Sequence, residues 1–291
     1  MNSLIESIGF GLVTAAIVGL AAVGLSLQVG VTNYVNFAYG DVMTLGAYLA
    51  YVVNSRGVPI LAAAAIAGIA TAVIMVIANR FVFEPFVRRR SRLITLLIVT
   101  LGVSFIIQNG IILIWGAGAY RFNLGAVTEL KLGALRWTTT DILIMILAVL
   151  LLVALHFSLQ KTTLGKALRA TSNNASLARV CGINTWSVAA WTWAISGFFA
   201  AIAGVALVAE VDTLRPTVGF NELFLIFGAV ILGGIGRPFG ALVGALIIGV
   251  VTGVTGFYVP GGYETAIAFV ILGVVLLVRP QGIFAARGRS A

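Results

Sequence analysis

Cysteine, histidine and charge are almost missing from this chain, and each shortage removes a class of function. The single cysteine, Cys181, excludes an internal disulfide framework and fits a reducing, cytoplasmic face. One His beside one Cys leaves no set of ligands at the spacing a structural zinc site requires. That histidine, His156 in "ALHF", ends an apolar run and reads as an interfacial residue. No phosphate loop is present, because Gly165-Lys166 lacks both the upstream glycine and the hydroxyl after the lysine. No serine sits in a nucleophile elbow. The chain is therefore expected to be no enzyme, with no catalytic residue, cofactor or metal of its own.

What is present is apolar surface. Of 291 residues, 60% are hydrophobic and 9% charged, and the mean hydropathy is +1.11. Water would face most of that surface in a soluble fold. Nine apolar segments are read at about 8–28, 36–53, 59–79, 93–115, 139–157, 186–209, 219–235, 239–257 and 262–278. Runs of about 20 such residues cross a hydrocarbon core of about 30 Å, and only helices or closed barrels satisfy the backbone there. Continuous rather than alternating runs favour helices. The expectation is an all-α polytopic membrane protein, a bundle of about 8–9 transmembrane helices with broken or re-entrant segments, N-out and C-in; 36–53 and 219–235 are the two whose full crossing the sequence leaves open.

Residues 1–7, "MNSLIES", carry no basic residue of the kind a signal peptide starts with, so 8–28 is read as a span. Thirteen of the 18 Lys and Arg fall in 80–92, 158–185, 236–238 and 279–291. Alternating spans then place the N-terminus outside and the C-terminus inside. The net charge of +9 belongs to these span-flanking residues and the lipid bilayer, and no nucleic-acid partner is expected. "VRRRSR", Val87 to Arg92, reads as a topology anchor. The stretches 116–138 and 158–185 are too short for a core of their own, so residues 1–291 are expected to form one membrane-embedded domain. "GALVGALIIG", Gly240 to Gly249, has the small-residue spacing that lets helices approach closely in lipid.

Three polar features interrupt the apolar pattern. Asn33, Asn36 and Asp41 lie in "GVTNYVNFAYGDVMTLGAYLAY", with Gly30 and Gly40 beside them. They form either a tight surface turn, with Asp41 at a helix start, or a broken helix facing a transport path. In the loop at about 160–185, two short helices are expected to break near Ser172–Asn174, with Gly182 as the closing cap. Lys166, Arg169 and Arg179 alternate there with apolar residues, as suits docking into another protein or lying on anionic lipid. Gln108 and Asn109 interrupt the fourth segment and Glu222 opens the seventh. These are candidate path residues or interhelical hydrogen-bonding groups.

At these residues the chain resembles the membrane permease subunits of branched-chain amino-acid ABC importers, in particular the shorter of the two permeases. The matching stretches are "NYVNFAYGDVMTLGAYLAY", "VSFIIQNGIILIWG", "GKALRATSNNASLARVCGIN", "LGGIGRPFGALVGALIIG" and "VRPQGIF". Five ordered matches along nearly the whole chain make the resemblance specific. It implies a transmembrane permease of a bacterial-type inner membrane, paired with a second homologous permease. Two ATP-binding cassette subunits would dock on the cytoplasmic side, and an extracytoplasmic substrate-binding protein would deliver the substrate. The segment 162–183, with Gly165, Lys166, Arg169, Asn173, Ala178, Arg179 and Gly182, would be the coupling element. The translocation path would draw on Asn33, Asn36, Tyr39, Asp41, Gln108, Asn109 and Glu222. Tyr39 stands where many relatives carry His, which leaves the cargo open among branched-chain or other small apolar amino acids, urea and short amides. A stand-alone secondary transporter is the rival class.

Overall fold

The computed structural model describes residues 2–89, 91–125, 128–132 and 135–258; beyond Tyr258 it describes only 263, 266, 269–270, 273–275, 277 and 282–283. Most of the ninth apolar run, 262–278, and of the terminal "VRPQGIF" thus lies outside the described residues. Among the described residues, eleven α-helices follow in order: α1 Asn2–Thr32, α2 Tyr39–Asn54, α3 Ile60–Ala78, α4 Glu84–Arg88, α5 Leu93–Trp115, α6 Thr139–Lys161, α7 Thr163–Asn173, α8 Ala175–Val180, α9 Thr185–Val211, α10 Val218–Gly233 and α11 Pro238–Tyr258. Six described segments are long and apolar enough to cross a membrane: Glu6–Thr32, Ile60–Arg88, Leu93–Trp115, Thr139–Lys161, Thr185–Val211 and Pro238–Phe257. The two segments whose full crossing the sequence left open are the two short ones. Helices α2 and α10 have 16 residues each, so each is about 24 Å long, short of a hydrocarbon core.

Two features depart from regular helix. Strands β1 (Glu129–Leu132) and β2 (Leu135–Thr138) form an antiparallel hairpin before α6. Thr138 and Asp141 then start α6 with a reciprocal capping box. The helix α3 continues into α4 through a π turn at Asn79–Phe83. That extra residue in the turn accompanies an inward Phe83, which packs on Trp193 of α9 at 4.6 Å and on Tyr34 at 6.1 Å between ring centroids.

The interior is built by α1, α2, α9 and α10, with α3 and α11 against them. Helices α5 and α6 lie at the periphery and turn large apolar side chains outward, among them Ile98, Phe105, Ile106, Val149 and Leu150. Close approach depends on small residues. On α11, a side chain at Gly249 would strike Ala15 of α1, and one at Gly253 would strike Gly11, the role small-residue spacing plays where no hydrophobic effect drives helices together.

The chain also uses one structural unit twice. A long helix (α1, α9) is followed by a six-residue interruption (33–38, 212–217) and a 16-residue helix (α2, α10). Each interruption opens with a left-handed residue, Asn33 at φ 59° and Asp212 at φ 51°; no other described non-glycine residue has a positive φ. Asn and Asp tolerate that conformation through local hydrogen bonding of their short side chains.

Candidate functional site

The first interruption is held by side chains. Asn33 is exposed, and its amide still bonds the Val29 carbonyl at 2.8 Å, closing α1. The chain then doubles back into the bundle. Asn36 is buried, and its Oδ1 accepts from the Ala38 amide at 3.1 Å, an Asx turn that starts α2 where no water could pair that amide. Tyr39 is fully buried, and its hydroxyl donates to the Ser196 carbonyl at 3.4 Å, near the middle of α9. Its bulk is received at Gly24 of α1, where any side chain would collide with the Tyr39 hydroxyl. Asp41, also fully buried, accepts from the Ser104 hydroxyl of α5 through Oδ2, while its Oδ1 has no partner among the described residues.

The second interruption is held by backbone. Leu214 and Tyr120 exchange both amide hydrogen bonds, at 2.8 and 2.9 Å, and the Tyr120 ring packs on Tyr48 and Tyr51 of α2. Asp212 is exposed and pairs with Arg121 at 3.4 Å. The two short helices then meet at their starting ends. A side chain at Gly40 would strike the Gly219 carbonyl, and one at Gly219 would strike the Gly40 carbonyl. Thr44 joins them: its hydroxyl donates to the Gly40 carbonyl at 3.2 Å and accepts from the Gly219 amide at 3.0 Å.

The seven path candidates from the sequence do not share one cavity. Asn36, Tyr39 and Asp41 come together in the interior, and Asn33 stays at the surface turn. Gln108 and Asn109 lie on the outward part of α5, where the Asn109 side-chain amide donates to the Phe105 carbonyl at 2.8 Å. Glu222, on α10, lines a separate cavity of about 380 Å³ with Ser7, Thr14, Glu210 and Thr252. Sequence reasoning missed Gln28, Thr44, Ser104 and Ser196. Ser196 donates to the Gln28 side-chain carbonyl at 3.1 Å, so α1, α2 and α9 share one polar layer. Three of the four, Thr44, Ser104 and Ser196, are hydroxyl residues with apolar neighbours on both sides. A lone hydroxyl in an apolar run bonds its own helix as readily as a neighbour, so sequence offers no sign of which it does.

The segment expected to be a coupling element is a helix pair, as the sequence predicts. Thr162 caps α7 by accepting from the Gly165 amide at 3.0 Å, and Asn174 caps α8 by accepting from the Leu177 amide at 3.0 Å. Gly182, at φ 83°, closes α8. Helix α7 turns so tightly from α6 that a side chain at Gly165 would run into the Leu159 and Ser158 carbonyls. Leu168, Thr171 and Ala178 face inward and are buried. Asn173 and Gly182 are exposed. On α8, Ala178 packs inward while Leu177 and Val180 are 59% and 85% exposed. Lys166, Arg169 and Arg179 are exposed on the same helix pair. From the basic stretch 87–92, Arg88 stacks on Trp186 at 4.6 Å and pairs with Glu84, which also binds Arg80 at 2.7 Å. Arg90 lies outside the described residues. These contacts tie the end of α4 to the start of α9, directly after the coupling segment.

Three comparisons bear on this geometry. Residues 7–279 match the family model described as branched-chain amino acid transport system, permease component. The chain is 31% identical to the high-affinity branched-chain amino acid transport system permease protein LivH of Salmonella typhimurium, over 94% of this chain and 92% of that one. It is 29% identical to the corresponding permease protein BraD of Pseudomonas aeruginosa, over 94% and 93% of the two chains. Among solved structures, a chain of PsaBC from Streptococcus pneumoniae in complex with Fab matches with a TM-score of 0.51 at 15% identity. It covers 94% of this chain and 91% of that one, a likeness of fold alone.

Proposed function

We propose, given that the chain belongs to the family of branched-chain amino-acid transport permease components, that it is the shorter transmembrane permease of an ATP-binding-cassette importer for branched-chain or other small apolar amino acids. It is a multi-pass membrane permease and not an enzyme; ATP hydrolysis falls to separate subunits. In this reading the whole chain is one membrane-embedded unit of a bacterial inner membrane, N-terminus out and C-terminus in. Eight to nine apolar segments enter the membrane, α2 and α10 being the two that do not run its full depth. The importer is completed by a second homologous permease, two ATP-binding cassette subunits and an extracytoplasmic binding protein.

The observation that carries the reading is the tip of α8. Leu177 and Val180 project away from the bundle on a helix pair capped at both starts, and Lys166, Arg169 and Arg179 are exposed on the same pair. Exposed apolar anchors on a short, rigid helix suit a hydrophobic groove in a partner, and the basic residues favour an acidic rim around that groove. Close ties between α7, α6 and the start of α9 support transmission of movement at the groove into the bundle. Asn36, Tyr39 and Asp41 then serve the path by fixing the break from which α2 starts. Gln108 and Asn109 face the second permease across α5, where Gly102 and Gly110 leave open room for another helix.

Affinity capture of the chain from native membranes in mild detergent tests the assignment. A second permease and nucleotide-binding subunits should co-purify. The double variant Leu177→Glu/Val180→Glu should lose the nucleotide-binding subunits, keep the second permease and insert normally. Capture of the chain alone under several gentle conditions overturns the importer reading. Retention of the ATPases by the double variant overturns the role of α8.

A further inference from the structure

We infer that the chain holds an anionic phospholipid in the cavity between α1, α6, α7 and the turn joining α10 to α11. The cavity measures about 540 Å³ and opens at the end of the bundle that carries α7 and α8. Arg169 on α7 and Arg237 before α11 line it on the basic side, together with Asn173. None of its lining residues is acidic. Its walls are apolar, formed by Leu27 of α1, Leu159 of α6 and Val243 of α11.

That division of chemistry selects the occupant. A soluble phosphate would use the basic side and leave the apolar walls wet. A phospholipid uses both, placing its phosphate against the two arginines and the upper part of an acyl chain against the wall. The depth also fits. Helix α1 ends at Thr32 and α6 at Lys161, so the basic side lies where the spans leave hydrocarbon for headgroups. Neither Tyr39 nor Asp41 lines this cavity, and Arg169 reaches it from α7, inside the segment proposed as the coupling element. The lipid would brace α7 against α1 and α11. This inference rests on the proposed function only in naming that end of the bundle cytoplasmic.

The test uses the chain with whatever subunits co-purify, transferred to nanodiscs of phosphatidylcholine containing phosphatidylglycerol. Native mass spectrometry after detergent release counts the lipids that stay bound. The wild-type chain should retain phosphatidylglycerol in preference to phosphatidylcholine. Arg237→Gln should lower its occupancy about tenfold, the effect of losing one charge-assisted hydrogen bond, and Arg237→Lys should restore part of it. Val243→Trp fills the wall without changing charge and should lower retention independently, which guards against a variant that merely unfolds near the turn. Equal retention in wild type, Arg237→Gln and Val243→Trp overturns the inference, as does retention without preference for the anionic lipid. Inorganic phosphate supplied in place of the lipid should not bind; saturable phosphate binding lost in Arg237→Gln overturns the lipid in favour of a soluble anion. Subunit composition is read in the same spectra, so absence of ATPases with lipid retained sinks the importer assignment alone.

Discussion

The two interruptions, 33–38 and 212–217, have equal length, start with the same left-handed turn and feed helices of 16 residues. They are fastened by different means. The first leaves Asn33 at the surface but carries Asn36 and the start of α2 into the interior, where Asn36 Oδ1 bonds its own backbone, Tyr39 reaches α9 and Asp41 Oδ2 reaches α5. The second keeps Asp212 at the surface and enters the bundle with Leu214 and Pro216 buried, stitched by backbone to Tyr120. A break in apolar surroundings must satisfy its freed amides and carbonyls somewhere. Side chains do so with specific partners, and a paired backbone does so with almost any sequence. The first interruption is accordingly the one that point substitutions should damage.

The largest effect is expected where the two units touch. Gly219→Val forces a branched side chain against the Gly40 carbonyl, and the crossing has no flexible group to yield. Loss of the monodisperse species in size-exclusion chromatography is expected; a well-behaved variant would show that the short helices slide past each other freely. Next is Asp41→Ala, which removes the link to Ser104 and should cost about 1–2 kcal/mol in thermal unfolding in detergent. If the double variant with Ser104→Ala costs the sum of the two single variants, the contact is not an energetic bond. Membrane insertion should be unchanged while transport falls.

Tyr39→Phe keeps the ring beside Gly24 and deletes only the hydroxyl bonded to the Ser196 carbonyl. A loss of about 0.5–1 kcal/mol is expected. A larger loss would mean that the hydroxyl supports more of the Gln28–Ser196 layer than its one bond. The smallest effect belongs to the second interruption. Arg121→Gln removes the exposed pair with Asp212 and should change stability by less than about 0.5 kcal/mol. A substantial change there would erase the contrast between the two breaks.

Much of the scaffold was legible because lipid makes sequence explicit. The run 93–115 coincides with α5, since a basic residue bounds one end and Trp115-Gly116 the other. The coupling pair was equally plain: Asn174 and Gly182 are the local signals that start and stop α8. The π turn at 79–83 and the hairpin at 129–138 left no such mark, because an inward Phe83 is decided by the room beside Trp193 and the hairpin lies in a polar loop. Glu222 and Asp41 looked alike as lone acids in apolar runs. Only the folded chain separates them, burying Asp41 against Ser104 and placing Glu222 on the wall of another cavity.

The sequence by itself determined that this chain is a helical membrane protein, where its apolar segments lie and where a capped helix pair follows α6. Those properties follow from hydrophobic length and local capping, both of which act between near neighbours in the chain. The tertiary structure alone decided that the two broken helices meet at Gly40 and Gly219, that Tyr39 finds its space at Gly24, and that lone hydroxyls such as Ser104 and Ser196 fall beside α2 and its partners. Those contacts join residues far apart in sequence, and in a bundle packed through glycine they depend on which backbones come close enough to touch.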